Sequence, residues 1–149
     1  MCFKFNKNQP KIEPVTDLTI ISRSGYLSIM GDAGIAGISV LDSTMTITSK
    51  TELDRIAPYL VYPADLYIAE IFDCEDYGIM AQGDAARLFH VSGIRLGIGW
   101  IPLGKHGFVI TIDTYNKIWC LEPNAAFEYA GQWLPINDEH GYKPEKVFA

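Results

Sequence analysis

The stretch 70–93, EIFDCEDYGIMAQGDAARLFHVSG, constrains the fold more than any other part of the chain, because its apolar residues repeat at helical spacing. Tyr77, Met80, Ala81, Ala85, Leu88 and Phe89 form one stripe, and Cys74 lies one turn earlier on it. Asp73 has an N-cap side chain, Glu75 and Asp76 put carboxylates in the first turn, and Gly93 supplies a stop. The spacing predicts a buried helix that starts at a cysteine. Unpaired backbone N–H groups at a helix start favour thiolate over thiol, one route to a nucleophilic cysteine. Glu75 and Asp76 oppose that shift, so a neighbouring cation is required. The competing reading is a small core residue, since free cysteine is among the most buried types.

With 149 residues, 48% hydrophobic and 12% aromatic, the chain has the material for one core. Residues 18–149 are expected to form a single domain. Residues 1–17, with Pro10, Pro14 and several lysines but no periodicity, read as a flexible lead-in. A net charge of −6 and no Lys/Arg cluster beyond the first eleven residues argue against nucleic acid as a main partner. Cysteines at positions 2, 74 and 120 have neither disulfide-framework nor zinc-site spacing and suit a reducing, cytoplasmic setting. No apolar run is long enough to span a bilayer, so a membrane is not expected. Cys2 among Phe3, Lys4 and Phe5 would suit a lipidated tail, but a short mobile terminus explains the same residues.

In order along the chain, 18–22 and 26–30 flank Arg23-Ser24-Gly25 and read as a small hairpin. Gly31, Gly34 and Gly37 lack the Gly-Lys-Ser/Thr ending of a phosphate loop and mark a turn or a close backbone approach. Residues 43–48 alternate as a strand. Ser49 and Glu52 make a capping-box pair that opens a short helix with Leu53, Ile56 and Ala57, which Pro58 interrupts. Pro63 breaks the next apolar run, and 65–72 lead to Cys74 with Tyr67 and Glu70 near the helix start. Three strands follow at 94–101, 106–113 and 117–122, joined by turns at 102–105 and 114–116, and Pro123 closes the last. Residues 124–149 read as a packing segment, with Phe127, Tyr129, Trp133 and Leu134, and then a loose tail. The fold class is α+β, a cysteine-bearing helix on an antiparallel meander.

A reactive thiolate needs a base within hydrogen-bond reach, and the base needs an orienting group. A three-residue turn at 114–116 pairs Asp113 with Lys117 and sets His106 opposite Asn124. Glu122 then shares a face with His106 one diagonal step away, roughly 7–8 Å between backbone positions. A slip of one residue turns Glu122 away. Taken singly, His106 reads as an exposed turn histidine and Glu122 as a strand-end carboxylate or a partner of Lys105. Their joint occurrence in the order Cys74, His106, Glu122 is harder to assign to chance.

That order, with FDCEDYG, GKHGFVITID and IWCLEPN, resembles the papain-like and transglutaminase-like cysteine peptidase superfamily over about residues 50–135. More narrowly, it is similar to the C-terminal peptidase domain of mushroom agglutinins and to small bacterial and phage relatives. The resemblance implies a papain-like fold with Cys74 as nucleophile, His106 as general base and then acid, and Glu122 in the place of papain's asparagine. Ile68 stands six residues before the cysteine, where papain-type enzymes carry an oxyanion-binding glutamine. The backbone N–H of Cys74 and an unidentified second donor would have to take that role.

The same resemblance brings calcium in as a candidate ion, with Asp73, Glu75 and Asp76 as oxygen ligands. Three carboxylates in one helical turn radiate to different sides, so they do not form an EF-hand loop, and N-terminal charge stabilisation explains them equally. No other cofactor is expected. His90 lies too far along the helix to serve Cys74, His140 falls in the tail and is expected to be solvated, and Cys120, Trp100 and Trp119 are expected in the core. The expected function is a cysteine hydrolase or acyltransferase, peptidase or transglutaminase-like, on a peptide or protein amide. The alternative is a catalytically weak or inactive binding domain, such as a phage host-interaction protein. The oligomeric state is open.

Overall fold

A computed structural model describes residues 12–39 and 42–149. Its elements run β1 (Thr19–Ser22), α1 (Arg23–Asp32), β2 (Ala36–Ile38), β3 (Thr44–Ile47), α2 (Lys50–Ile56), α3 (Cys74–Phe89), β4 (Arg95–Ile101), β5 (Gly104–Ile112), β6 (Ile118–Leu121), β7 (Trp133–Pro135) and β8 (Lys143–Phe148). Short 3-10 turns at Ala57–Leu60 and Ala64–Leu66 link α2 to α3. The fold is α+β: β1 pairs with β3, and a six-stranded sheet runs β2-β8-β4-β5-β6-β7, antiparallel except for β2 beside β8. Among the described residues no helix is long and apolar enough to cross a membrane.

The meander follows the sequence pattern. Ile112 pairs with Ile118 and Val109 with Leu121, and the Asp113 N–H donates to Lys117 O at 2.9 Å, which is the register expected from a three-residue turn. Alternation then covers both faces of the sheet. Val109 and Leu121 pack with Ala81, Ala85 and Phe89 of α3, with Leu53 and Ile56 of α2, and with Trp119. Phe108, Ile110 and Cys120 turn the other way, onto Tyr26 and Met30 of α1 and onto Tyr142 and Val147.

Helix α3 starts where the sequence places it. The Asp73 side chain accepts from Glu75 N–H, and Asp76 reaches back to accept from Asp73 N–H. It ends earlier than expected, at Phe89, because His90 turns left-handed at φ 64 and its N–H bonds the carbonyl of Ala86. Gly93 serves a different purpose: its N–H donates to Thr46 O at 2.8 Å, an approach that a Cβ would obstruct.

Three expectations are corrected. Residues 18–30 are not a hairpin: Ser22 accepts from Gly25 N–H and caps α1, Tyr26 and Met30 bury one turn apart, and β1 takes β3 as its partner. The end of the chain is not a loose tail, since β8 lies inside the large sheet between β2 and β4. Trp100 is not core but 46% exposed, with its indole N–H on Glu145. Of the lead-in, residues 1–11 lie outside the described residues; Val15 is buried, with its N–H on Phe89 O.

Candidate functional site

The hairpin β5–β6 carries two of the three expected side chains to one point. His106 Nε2 lies 2.6 Å from Glu122 Oε2, and both side chains are buried. Glu122 accepts two further bonds, from Asn124 N–H to Oε1 at 3.0 Å and from the Tyr142 hydroxyl to Oε2 at 3.1 Å. A carboxylate is an acceptor, so Nε2 carries the hydrogen and Nδ1 is the ring nitrogen left to meet a thiol. Phe127 covers the imidazole, ring centroids 4.6 Å apart, and shields the pair from water.

Cys74 reaches the same place from the other side. Gly107 lies under the start of α3 so closely that a Cβ there would sit 3.1 Å from Glu75 N and Cα and 3.2 Å from the Cys74 carbonyl carbon. Cys74, His106, Asn124, Phe127, Tyr67 and Lys105 then line one cleft of about 450 Å³. The three expected residues therefore share a site, although the thiol's hydrogen bond runs to Glu75 Oε2, at 3.1 Å, and not to the imidazole.

That bond shows Glu75 opposing the thiolate, as its place in the first turn implies. Burial and the Glu75 carboxylate push the Cys74 thiol up to about 11, while the Gly107 N–H is the group that pulls it down. In this arrangement the helix start does not deliver a thiolate. The thiol's hydrogen in turn holds Glu75 below the usual carboxylate range, and Asp73, bonded to Glu75, is held above it.

Asp73, Cys74 and Glu75 are close enough to share an ion. Calcium takes six to eight oxygen ligands. Here Asp73 and Asp76 are engaged in capping the helix and Glu75 in holding the thiol, so these residues do not fit a calcium site.

Asn124 lies at the cleft beside His106, which the turn at 114–116 sets opposite it, and Phe127 packs as its segment implies; Tyr142 carries no signal, since the sequence beyond Pro123 shows no clear period. His140, expected to be solvated, is half-buried, bonded through Nδ1 to Asp138 at 2.8 Å, and set edge-on to Tyr129. Cys120 and Trp119 are buried as expected, and His90 caps the far end of α3. Ile68 is 54% exposed and its side chain has no hydrogen to donate to an oxyanion.

No protein-family model and no curated protein matches the chain. Solved structures do. A PSL1a–E64 complex superposes with a TM-score of 0.61 at 14% identity, over 87% of this chain and 51% of that one. A Polyporus squamosus lectin bound to a human-type influenza-binding epitope gives a TM-score of 0.56 at 14% identity, over 83% and 47%. The expected likeness to a mushroom agglutinin is thus met at the level of the fold. This chain spans about half the length of those chains, and neither description names a hydrolase.

Proposed function

We propose that the cleft is a cysteine hydrolase or acyltransferase site of papain-like type acting on amide bonds, with Cys74 as nucleophile, His106 as base and then acid, and Glu122 orienting the imidazole. The observation that carries this reading is the buried His106–Glu122 contact at 2.6 Å, which leaves Nδ1 for the cleft that Cys74 also lines. The reaction requires the Cys74 side chain to turn from Glu75 towards His106 Nδ1 within the cleft that both residues line. His106 then takes the thiol proton, sulfur bonds to the carbonyl carbon, and the C–N bond breaks as the imidazolium protonates the amine. Water, or an acceptor amine, attacks the thioester carbon and gives its proton to His106; the C–S bond breaks, the acyl group leaves on the attacking oxygen or nitrogen, and the imidazolium returns the proton to the Cys74 sulfur. The Cys74 N–H would hold the oxyanion. Asn124 lines the cleft with its Oδ1 on Ala126 N–H, and its Nδ2, which has no partner among the described residues, would serve as second donor.

A second reading, a catalytically weak or inactive binding domain, is supported by a different observation: the resting thiol is protonated and bonded to Glu75. The neighbours' descriptions support it as well, since one is a lectin on an epitope and neither is called an enzyme. Alkylation by iodoacetamide at mildly acidic pH, mapped by peptide mass, separates the two. The catalytic reading expects Cys74 to label faster than Cys2 and Cys120, and to lose that advantage in His106→Ala. Equal labelling of all three cysteines leaves the binding domain.

A further inference from the structure

Leading into α3, residues 63–71 form an unbroken exposed run, PADLYIAEI. Leu66, Tyr67, Ile68 and Ile71 are 41%, 50%, 54% and 73% open to water, whereas other exposed apolar side chains, such as Ile20, Leu103 and Tyr115, stand far apart in the sequence. Clustered apolar surface, unlike a single exposed side chain, marks an interaction site. The run is also held firmly. Ile68 and Phe72 exchange both backbone hydrogen bonds, each at 2.8 Å, which closes a tight hairpin that carries Glu70 at φ 62. Tyr77, buried in α3, clamps the base: its hydroxyl donates to Pro63 O at 2.6 Å, and its ring meets Phe72 edge-on, centroids 5.1 Å apart. A surface ordered in advance loses little freedom when a partner binds.

The charge around the hairpin is of one sign. No lysine or arginine lies between Arg55 and Arg87, a stretch that holds Asp65, Glu70, Asp73, Glu75, Asp76 and Asp84. Among the described residues, the first five of these carboxylates form no ion pair with a lysine or arginine. Lys105, which shares the cleft wall with Tyr67, is taken up by Glu145 at 2.6 Å. Leu66, Ile68 and Ile71 do not line the cleft.

We propose that the hairpin at 66–72 is a docking surface for a second protein, one that presents aliphatic side chains flanked by lysine or arginine. The isoleucines lose water on contact, and the partner's cations meet carboxylates that have no cation of their own. A second copy of this chain would bring like charges together, and an anionic lipid surface would be repelled. Glu70 fits the same reading. A non-glycine residue at positive φ is strained, and asparagine or glycine would ease the turn, but a glutamate there keeps a negative charge on the hairpin. The surface is separate from the cleft and requires no turnover at Cys74.

The test titrates the full chain with the capped peptide Lys-Leu-Lys-Ile-Gly-Lys and follows backbone amide shifts by NMR. The amides of 66–72 are expected to move first, and Kd should rise roughly tenfold when Ile68→Ser and Ile71→Ser are combined. Both side chains are exposed, so the variant keeps the fold, which unchanged shifts elsewhere will show. Glu70→Asn, which tolerates the left-handed turn, should raise Kd about threefold at low salt, a difference that closes near about 0.5 M salt. Peptides with glutamate for lysine, or glycine for leucine and isoleucine, should leave 66–72 unmoved. No shift at 66–72 up to peptide on the order of 10 mM, an equal response to the glutamate peptide, or an unchanged Kd in the double variant overturns the proposal. So does binding of phosphatidylcholine vesicles through the same isoleucines without any response to the peptide, or contact of 66–72 with a second copy or with residues 1–11 in the free chain. A cleft that fails to turn over an amide leaves each of these outcomes as it stands.

Discussion

The Tyr142 hydroxyl donates to Glu122 Oε2 at 3.1 Å, on the same oxygen that holds His106. Tyr142 therefore positions the carboxylate that holds His106. Its ring packs edge-on to Phe108, centroids 5.5 Å apart, so Tyr142→Phe removes the bond and keeps the packing. A hydrogen bond to a charged group is worth about 1.5–3 kcal/mol, and the unfolding free energy from urea titration should fall by that order. His106-dependent alkylation of Cys74 should slow several-fold in the same variant. An unchanged urea midpoint would show that the hydroxyl carries no weight.

Glu75→Gln should act in the opposite direction on the thiol. Its carboxylate raises the Cys74 pKa both by accepting the thiol's hydrogen and by its charge. Without it the value should drop from about 11, and each unit lost gives roughly ten times more thiolate in the range below the pKa. Stopped-flow alkylation at pH 8 should speed up by that order. No acceleration would mean that burial alone sets the thiol.

Gly107→Ala places a methyl group 3.1 Å from the Glu75 backbone, which cannot move without shifting the start of α3. A stability loss of about 1–3 kcal/mol is expected, together with loss of His106-dependent labelling. Gly83 on the same helix has nothing within 4 Å of its would-be Cβ, so Gly83→Ala should stabilise by about 0.5–1 kcal/mol and leave labelling intact. Thermal melts of the two variants should therefore move in opposite directions.

Asp17 fastens the lead-in by accepting from the hydroxyl groups of Thr48 and, at 2.7 Å, Ser49. The Thr48 bond is the main reason its carboxyl lies below the usual range. A carboxyl lowered on folding contributes above its unfolded pKa of about 3.9 and loses that contribution as pH falls through the folded value. The group is exposed, so the contribution is screened to about 0.5 kcal/mol. Asp17→Asn should lower stability by that amount at pH 6, with the difference closing below pH 4. A gap between the two proteins that persists at pH 2 would contradict the assignment.

The parts legible in the sequence were those whose signal is local. Asp73 with Asp76, and Ser49 with Glu52, announce helix starts because a cap is settled within four residues. The turn at 114–116 fixes the β5–β6 register, and that register puts Glu122 beside His106. What escaped was set by distance. Residues 143–148 carry Pro144 and Glu145 and look irregular alone, yet they pair with β4 and β2 on either side. Tyr142 arrives with them, so its bond to Glu122 could not be read from the local pattern. The Cys74 thiol was legible in part: Glu75, the next residue, opposes the thiolate as its position implies, but the larger effect, burial, is set by packing against β5 that no local pattern shows.

The placement of β8 bears on synthesis. A strand drawn from residues 143–148 fills the gap between β2 and β4, so the six-stranded sheet cannot close while those residues are still inside the ribosome. Glu122 likewise waits for Tyr142, and a nascent chain holds its histidine without the full set of bonds that fixes the carboxylate beside it. Any chemistry of this cleft is thereby withheld from the protein's own half-made copies.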